Sequence, residues 1–158
     1  MEIRFGENRD IPGIIALLRQ VGQVHHEGRP DIFRAGAQKY DEKQVAEMLG
    51  DKENPIFVAT DGEKVLGYGF CFLKKFKNDP VICDHRELYI DDLCVDGTCR
   101  GMGIGRALYE HIRAYARTLG CRSVTLNVWS CNEKAMGFYE KLGLKPQKVG
   151  MEMLLENE

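Results

Sequence analysis

The chain is 158 residues long, 44% hydrophobic and 29% charged, with a formal net charge of −2; that is enough for one domain with a real core and too little positive charge for a dedicated nucleic-acid binder. No apolar run approaches the roughly 20 residues of a membrane span, and the opening MEIRFGENRD is charged from its second residue, unlike a secretory signal. Six cysteines without a C-x-x-C pair suggest neither a zinc site nor a disulfide framework, and set the expectation of a reduced, cytoplasmic protein that holds no metal.

Glu2 to Phe5 read as a first strand. Asp10 is placed to cap the helix that follows, with Pro12 in its first turn. Ile11, Ile14, Ile15, Leu18 and Val21 keep helical spacing, and the helix is expected to end near Val24, before a loop that carries His25, His26, Pro30 and Phe33. Asp41 with Gln44 forms a capping box for a second helix, stopped by Gly50. Ile56 to Thr60 is a strand, Asp61-Gly62 a hairpin turn, and Val65 to Leu73 the return strand. A basic turn over Lys74 to Pro80 leads to a strand from about Arg86 to Val95. Plain alternation puts Leu88, Ile90, Asp92 and Cys94 on one face of it, and a bulge would change that. Cys71, Cys94 and Cys121 sit among apolar neighbours and read as small buried hydrophobes.

After this strand comes Arg100-Gly101-Met102-Gly103-Ile104-Gly105-Arg106. Three alternate glycines leave backbone N–H groups unshielded, two arginines flank them, and a helix begins within the run. A helix start carries unpaired N–H donors and partial positive charge, so the loop suits a phosphate or pyrophosphate; the other reading is a tight strand-to-helix turn using glycine for its φ freedom. A P-loop would need Gly-Lys-Ser/Thr at its end, and the dinucleotide fingerprint would need glycine where Arg106 stands. The helix is expected to bury Ile104, Ala107, Leu108, Ile112, Tyr115 and Leu119, to leave Arg106, Glu110, Arg113 and Arg117 wet, and to stop at Gly120. Ser123 to Trp129 reads as a strand, Ser130 and Glu133 as a capping box for a helix closed by Gly143, and Val149 to Leu155 as a last strand. Asn132 and Tyr139 lie about two turns apart on that last helix and face the same way.

Two of these stretches together carry a resemblance. Arg100-x-x-Gly103-x-Gly105 resembles the R/Q-x-x-G-x-G/A signature of the GNAT N-acetyltransferase superfamily, and Asn132-Glu-Lys-Ala135-Met-Gly-Phe-Tyr139-Glu-Lys-Leu-Gly143-Leu resembles its N-x-x-A-x-x-F/L-Y-x-x-x-G-F segment. The resemblance is close from Leu88 to Pro146 and follows the family's element order before that. It implies a single GNAT domain over residues 1–158, an α/β (α+β) fold. The sheet would be mixed, mostly antiparallel and twisted, with about seven strands flanked by about four helices and splayed at its central strands. It implies acetyl-CoA as acyl donor. Arg100, Gly101, Met102, Gly103, Ile104, Gly105 and Arg106 would bind its pyrophosphate, and the backbone of Leu93, Cys94 and Val95 would pair with the pantetheine arm in the slot that a bulge opens. Asn132 would bond the same arm, and Tyr139 would protonate the departing sulfur. A core aromatic beside Phe138 is the other reading of Tyr139.

The acceptor amine must lose a proton, since a primary amine has a pKa of about 10.4. Asp91 and Asp92 stand beside the expected slot, where polyamine acetyltransferases carry acidic residues. Paired carboxylates raise one another's pKa, so they are candidates to hold or deprotonate the acceptor; a solvated strand end is the alternative. Asn127 stands where ribosomal-protein N-terminal acetyltransferases carry a Glu base, and asparagine takes up no proton near neutral pH. The resemblance also puts His25, His26 and Phe33, with Asn127, near the acceptor, although adjacent loop histidines have no defined ligand or base geometry and read by themselves as solvated residues. The expected function is transfer of an acetyl group to a primary amine on a small molecule, polyamine or peptide by direct attack in a ternary complex. A non-catalytic acyl-CoA-binding regulator is the alternative. Neither nucleic acid nor membrane is an expected partner, and the last strand offers a route to a homodimer.

Overall fold

The computed structural model describes residues 1–156. Compact unit 1 spans residues 1–127, and a second unit begins at Val128. In the first, β1 (Glu2–Phe5), β2 (Ile56–Asp61), β3 (Lys64–Phe76), β4 (His85–Val95) and β5 (Ser123–Leu126) form one sheet in sequence order. Its first four strands pair antiparallel, and β5 joins β4 in parallel. The fold is therefore mixed α/β as expected, with five strands among the described residues where about seven were expected.

Of the six strands that the sequence pattern assigns to residues, the one not formed is the last. Residues 149–155 alternate in hydropathy, but among the described residues they join no ladder, and alternation without a partner row of N–H and C=O groups does not make a strand. β5 is also shorter than expected, ending at Leu126 and not at Trp129, because its pairing with β4 stops at Ile90.

Helix α1 (Ile11–Gly28) and α2 (Glu42–Met48) belong to one face of the sheet. Ile14, Leu17, Leu18 and Val45 pack there with Val58, Tyr68, Phe70 and Cys94, all buried. The capping box of Asp41 with Gln44 is formed. Asp10 sits at the start of α1 without capping it; its carboxylate takes two hydrogen bonds from Arg4, at 2.7 and 3.0 Å, and one from the Glu7 amide. α1 runs one turn beyond Val24, so His25 and His26 are helical.

Helix α3 (Ile104–Thr118) covers the other face. It comes close because β3 carries glycine beneath it: a Cβ on Gly69 would stand 2.7 Å from Ile112 Cδ1, and one on Gly67 3.1 Å from Leu108 Cδ1. The buried ridge is Ile104, Leu108, Ile112 and Ala116 with Tyr109, whereas Ala107, Tyr115 and Leu119 are only partly covered. Tyr115 instead packs edge-on against Phe5 and Phe57 and donates to the Lys52 carbonyl at 2.7 Å. Cys71 and Cys94 are buried as expected, while Cys121 is partly exposed.

In the unit from Val128, α4 (Glu133–Lys141) is capped by Asn132, whose Oδ1 accepts from the Ala135 amide at 3.1 Å; the expected cap at Ser130 is not used. No helix among the described residues is long and apolar enough to cross a membrane.

Candidate active site

β4 holds one residue more than β3 can pair. Phe70 lies opposite Asp92 and Cys71 opposite Ile90, which leaves Asp91 as the extra residue of a bulge. A period-2 pattern reverses across an extra residue. Leu88 and Ile90 share the face of Cys71, Gly69 and α3, but Asp92 and Cys94 turn to the opposite face with Phe70 and Tyr68. The single-face expectation for Leu88, Ile90, Asp92 and Cys94 is thus corrected. The bulge also marks where β4 and β5 part: the parallel ladder ends at Ile90, while β4 continues on β3 to Val95. Leu93, Cys94 and Val95 therefore have one backbone edge beyond the reach of the β5 ladder.

Two tyrosines and a lysine meet the acidic pair. Asp91 Oδ2 accepts from the Tyr40 hydroxyl at 2.8 Å and lies 2.8 Å from Lys39 Nζ. Asp92 Oδ2 accepts from the buried Tyr68 hydroxyl at 2.7 Å. The Tyr40 and Phe70 rings stack 5.3 Å apart, and Tyr68 meets Phe70 edge-on at 5.0 Å. Burial pushes the Asp92 carboxyl above the ordinary carboxylate value; Tyr68, Lys39 and His25 pull the other way, and Asp91 adds to the rise. Burial, with the adjacent carboxylates, raises both tyrosine hydroxyls too. Burial lifts the Cys94 thiol to about 12, so it stays a neutral core group. A carboxylate with a raised pKa is a better proton acceptor near neutrality than an exposed one.

The last turn of α1 borders the same region. His25 stacks on Phe33 at 4.9 Å, and His26 Nδ1 lies 2.7 Å from the Phe33 carbonyl, a contact that needs the proton on Nδ1. His25 is near enough to Asp92 for its charge to be felt there. The structure thus gathers Asp91, Asp92, His25, His26 and Phe33 along one side of the sheet. Asn127 follows β5, is exposed, and donates to the Tyr89 hydroxyl at 3.2 Å. Tyr40, Tyr68 and Lys39 are the contributors that sequence reasoning missed. For Tyr68 the signal was there in the period-2 run Tyr68, Phe70, Phe72 on β3; for Lys39 and Tyr40 there was none beyond their place before the Asp41 cap.

The glycine loop opens after a short 3-10 turn, Gly97–Cys99, held by Asp96 through the Thr98 amide at 3.0 Å. Gly101 and Gly103 take φ of 78° and 77°, values that a side chain disfavours, and Gly103 delivers the chain into α3. Buried Ile104 pins the loop from below, while Gly101, Met102 and Gly103 are exposed. The first-turn amides of α3 have no partner within the helix. Arg100 and Arg106 are exposed, and among the described residues neither is in an ion pair. Such a loop fits a pyrophosphate: two left-handed glycines, free amides and two available cations.

Asn132 and Tyr139 belong to the unit from Val128. Asn132 caps α4, and the Tyr139 ring lies 5.0 Å from that of Phe138.

The sequence profile of the acetyltransferase (GNAT) family matches residues 23–144. The chain is 30% identical over 148 residues to the peptidyl-lysine N-acetyltransferase YjaB of Salmonella typhimurium, covering 92% of this chain and 83% of that one. It is 26% identical over 143 residues to the thialysine N-epsilon-acetyltransferase of Mus musculus, covering 90% and 81%. Among solved structures, a mutant BH1408 protein from Bacillus halodurans superposes with a TM-score of 0.93 at 32% identity, covering 99% of this chain and all of that one. Glucosamine-6-phosphate N-acetyltransferase from Arabidopsis thaliana shares the fold, with a TM-score of 0.72 at 20% identity over 98% of each chain.

Proposed function

Because the chain belongs to the acetyltransferase (GNAT) family and is an N-acetyltransferase, we propose that it transfers the acetyl group of acetyl-CoA to a primary amine carried by a cationic small molecule, polyamine or lysine-bearing peptide. The observation that carries the acceptor class is the bulge of β4, which presents Asp91 and Asp92 with two tyrosine hydroxyls and aromatic faces. A carboxylate, an aromatic face and a second carboxylate partly shielded from solvent are what an ammonium needs for binding and for losing its proton.

In this reading Arg100, Arg106 and the amides of residues 101–106 hold the pyrophosphate, and Leu93, Cys94 and Val95 offer their backbone edge to the pantetheine arm. The donor supplies an activated thioester. Asp91 holds the acceptor ammonium, and Asp92 takes its proton. A backbone N–H of Leu93 or Cys94 donates to the thioester oxygen as charge develops there. The amine nitrogen forms the new bond to the carbonyl carbon, the carbon–sulfur bond breaks, and Tyr139 protonates the sulfur. The roles of Tyr139 and Asn132 rest on their motif positions, and those of His26, Phe33 and Asn127 are to border the acceptor. The reading takes residues 1–158 as one catalytic domain. Residues 149–155, exposed and apolar at Val149, Met151, Met153 and Leu155, supply the surface for a homodimer.

The test is mass-spectrometric detection of acetylated product from purified protein, acetyl-CoA and a panel of polyamines, amino sugars, amino acids and lysine peptides. Tyr139→Phe and Asp92→Asn run alongside. Product with cationic amines, reduced about 10²-fold or more in each variant, is the expected result, the usual size of an acid–base contribution. Turnover confined to uncharged or anionic acceptors would overturn the acceptor class, and full turnover in both variants would overturn the assigned roles.

A further inference from the structure

The segment between α1 and α2 is held close over the acidic pair. Gly22 of α1 makes room for it: a Cβ there would collide with the Ala37 carbonyl, two residues before Lys39. Lys39 Nζ then lies 2.8 Å from Asp91 Oδ2 and 5.7 Å from the centre of the Tyr40 ring, and its charge is felt at Asp92. These are the groups that the proposed function offers to an acceptor ammonium, and a primary ammonium of this chain already sits on them. Its side chain is 48% exposed, so solvent can carry its proton away. Lys75 provides a matched comparison. It is 45% exposed and lies 2.7 Å from Glu53, the same chemistry at a place far along β3 from the bulge.

We propose that Lys39 is a self-acetylation site, its ε-amine serving as an internal acceptor when no external amine competes. The inference rests on the N-acetyltransferase reading given above. In the step, the Lys39 ammonium gives up one proton to Asp92 or solvent. Its nitrogen bonds to the thioester carbonyl carbon, the carbon–sulfur bond breaks, and the nitrogen's second surplus proton balances the one taken up by sulfur. The products are Nε-acetyl-Lys39, free coenzyme A and one proton. Acetylation removes the charge that Lys39 places on Asp91 and so frees that carboxylate for an external ammonium.

The experiment is peptide mapping by mass spectrometry of the full chain after timed incubation with acetyl-CoA and no added amine, with Asp91→Asn alongside. A second series replaces acetyl-CoA by acetic anhydride, which reads each lysine's own reactivity. Lys39 is expected to outpace Lys75 by at least about tenfold with acetyl-CoA, the modest end of a proximity effect, and to show no such lead with acetic anhydride. Its rate is expected to be independent of protein concentration and to fall in Asp91→Asn and in excess polyamine. An equal lead with the anhydride would overturn the proposal, as would a rate that scales with protein concentration. Unlabelled Lys39 in a preparation that turns over the amine panel would sink the self-acetylation alone. Absence of both would sink it together with the reading beneath it. If Asp91→Asn does not fold, the Lys39-to-Lys75 ratio in the unaltered chain still decides.

Discussion

Asp10 is 2% exposed and Arg4 holds it with its two terminal guanidinium nitrogens. Burial alone would raise its pKa, but the Arg4 hydrogen bonds and charge and the Glu7 amide outweigh burial and leave it below the ordinary value. A carboxyl depressed in the folded state adds stability above its unfolded pKa and loses it as pH falls through the folded one. Asp10→Asn takes the buried carboxylate from a half-buried guanidinium that keeps only Glu2 and Glu7 at about 4 Å, so urea unfolding at pH 7 should show a loss of about 2 kcal/mol. The variant should also lose part of the unaltered chain's stability slope below about pH 4. A loss that persists unchanged at pH 2 would mean that packing, and not the ion pair, was removed. Asp92 runs the other way, with a pKa raised by burial. If it takes the acceptor's proton, kcat/KM should rise with pH through that raised value. Tyr68→Phe deletes a hydrogen bond to the ionised form and should move the acid limb to higher pH. An unmoved limb would assign the base elsewhere.

At the scale of elements, glycine decides how closely the layers approach. Alanine at a helix interior position such as Gly22 ordinarily stabilises by about 1 kcal/mol. Here the Ala37 carbonyl occupies the space, so Gly22→Ala should destabilise the chain and lift Lys39 and Tyr40 from Asp91. Thermal unfolding gives the sign directly, and a rise in Tm would show that the segment yields without cost. The bulge of β4 acts through a different property. One extra residue re-aims Asp92 and Cys94 across the sheet while β3 keeps its own alternation, so the strand serves the core under α3 with its first half and the acidic site with its second. An alternation pattern can be counted from sequence, but the position of an extra residue depends on which partner it fails to pair with.

For the molecule as a whole, residues 149–155 are the largest departure between hydropathy and burial. Val149, Met151, Met153 and Leu155 are each more than 70% exposed. If they make a dimer surface, sedimentation should find a dimer that Met151→Glu with Met153→Glu converts to monomer; a monomeric unaltered chain would end that part of the proposal. Local pattern was enough for the four helices, the succession of the first five strands along the chain, the Asp41 cap and the glycine loop, because each depends on residues a few positions apart. The family followed from two motifs in the right order. Tertiary structure alone determined that the last apolar run joins no strand and that His25 and His26 belong to α1. It alone placed the bulge at Asp91, and it alone brought Lys39, Tyr40 and Tyr68 to the acidic pair. Those contacts join residues 24 to 52 positions apart in the chain, and no local periodicity encodes which distant side chains meet when helices and strands close on one another.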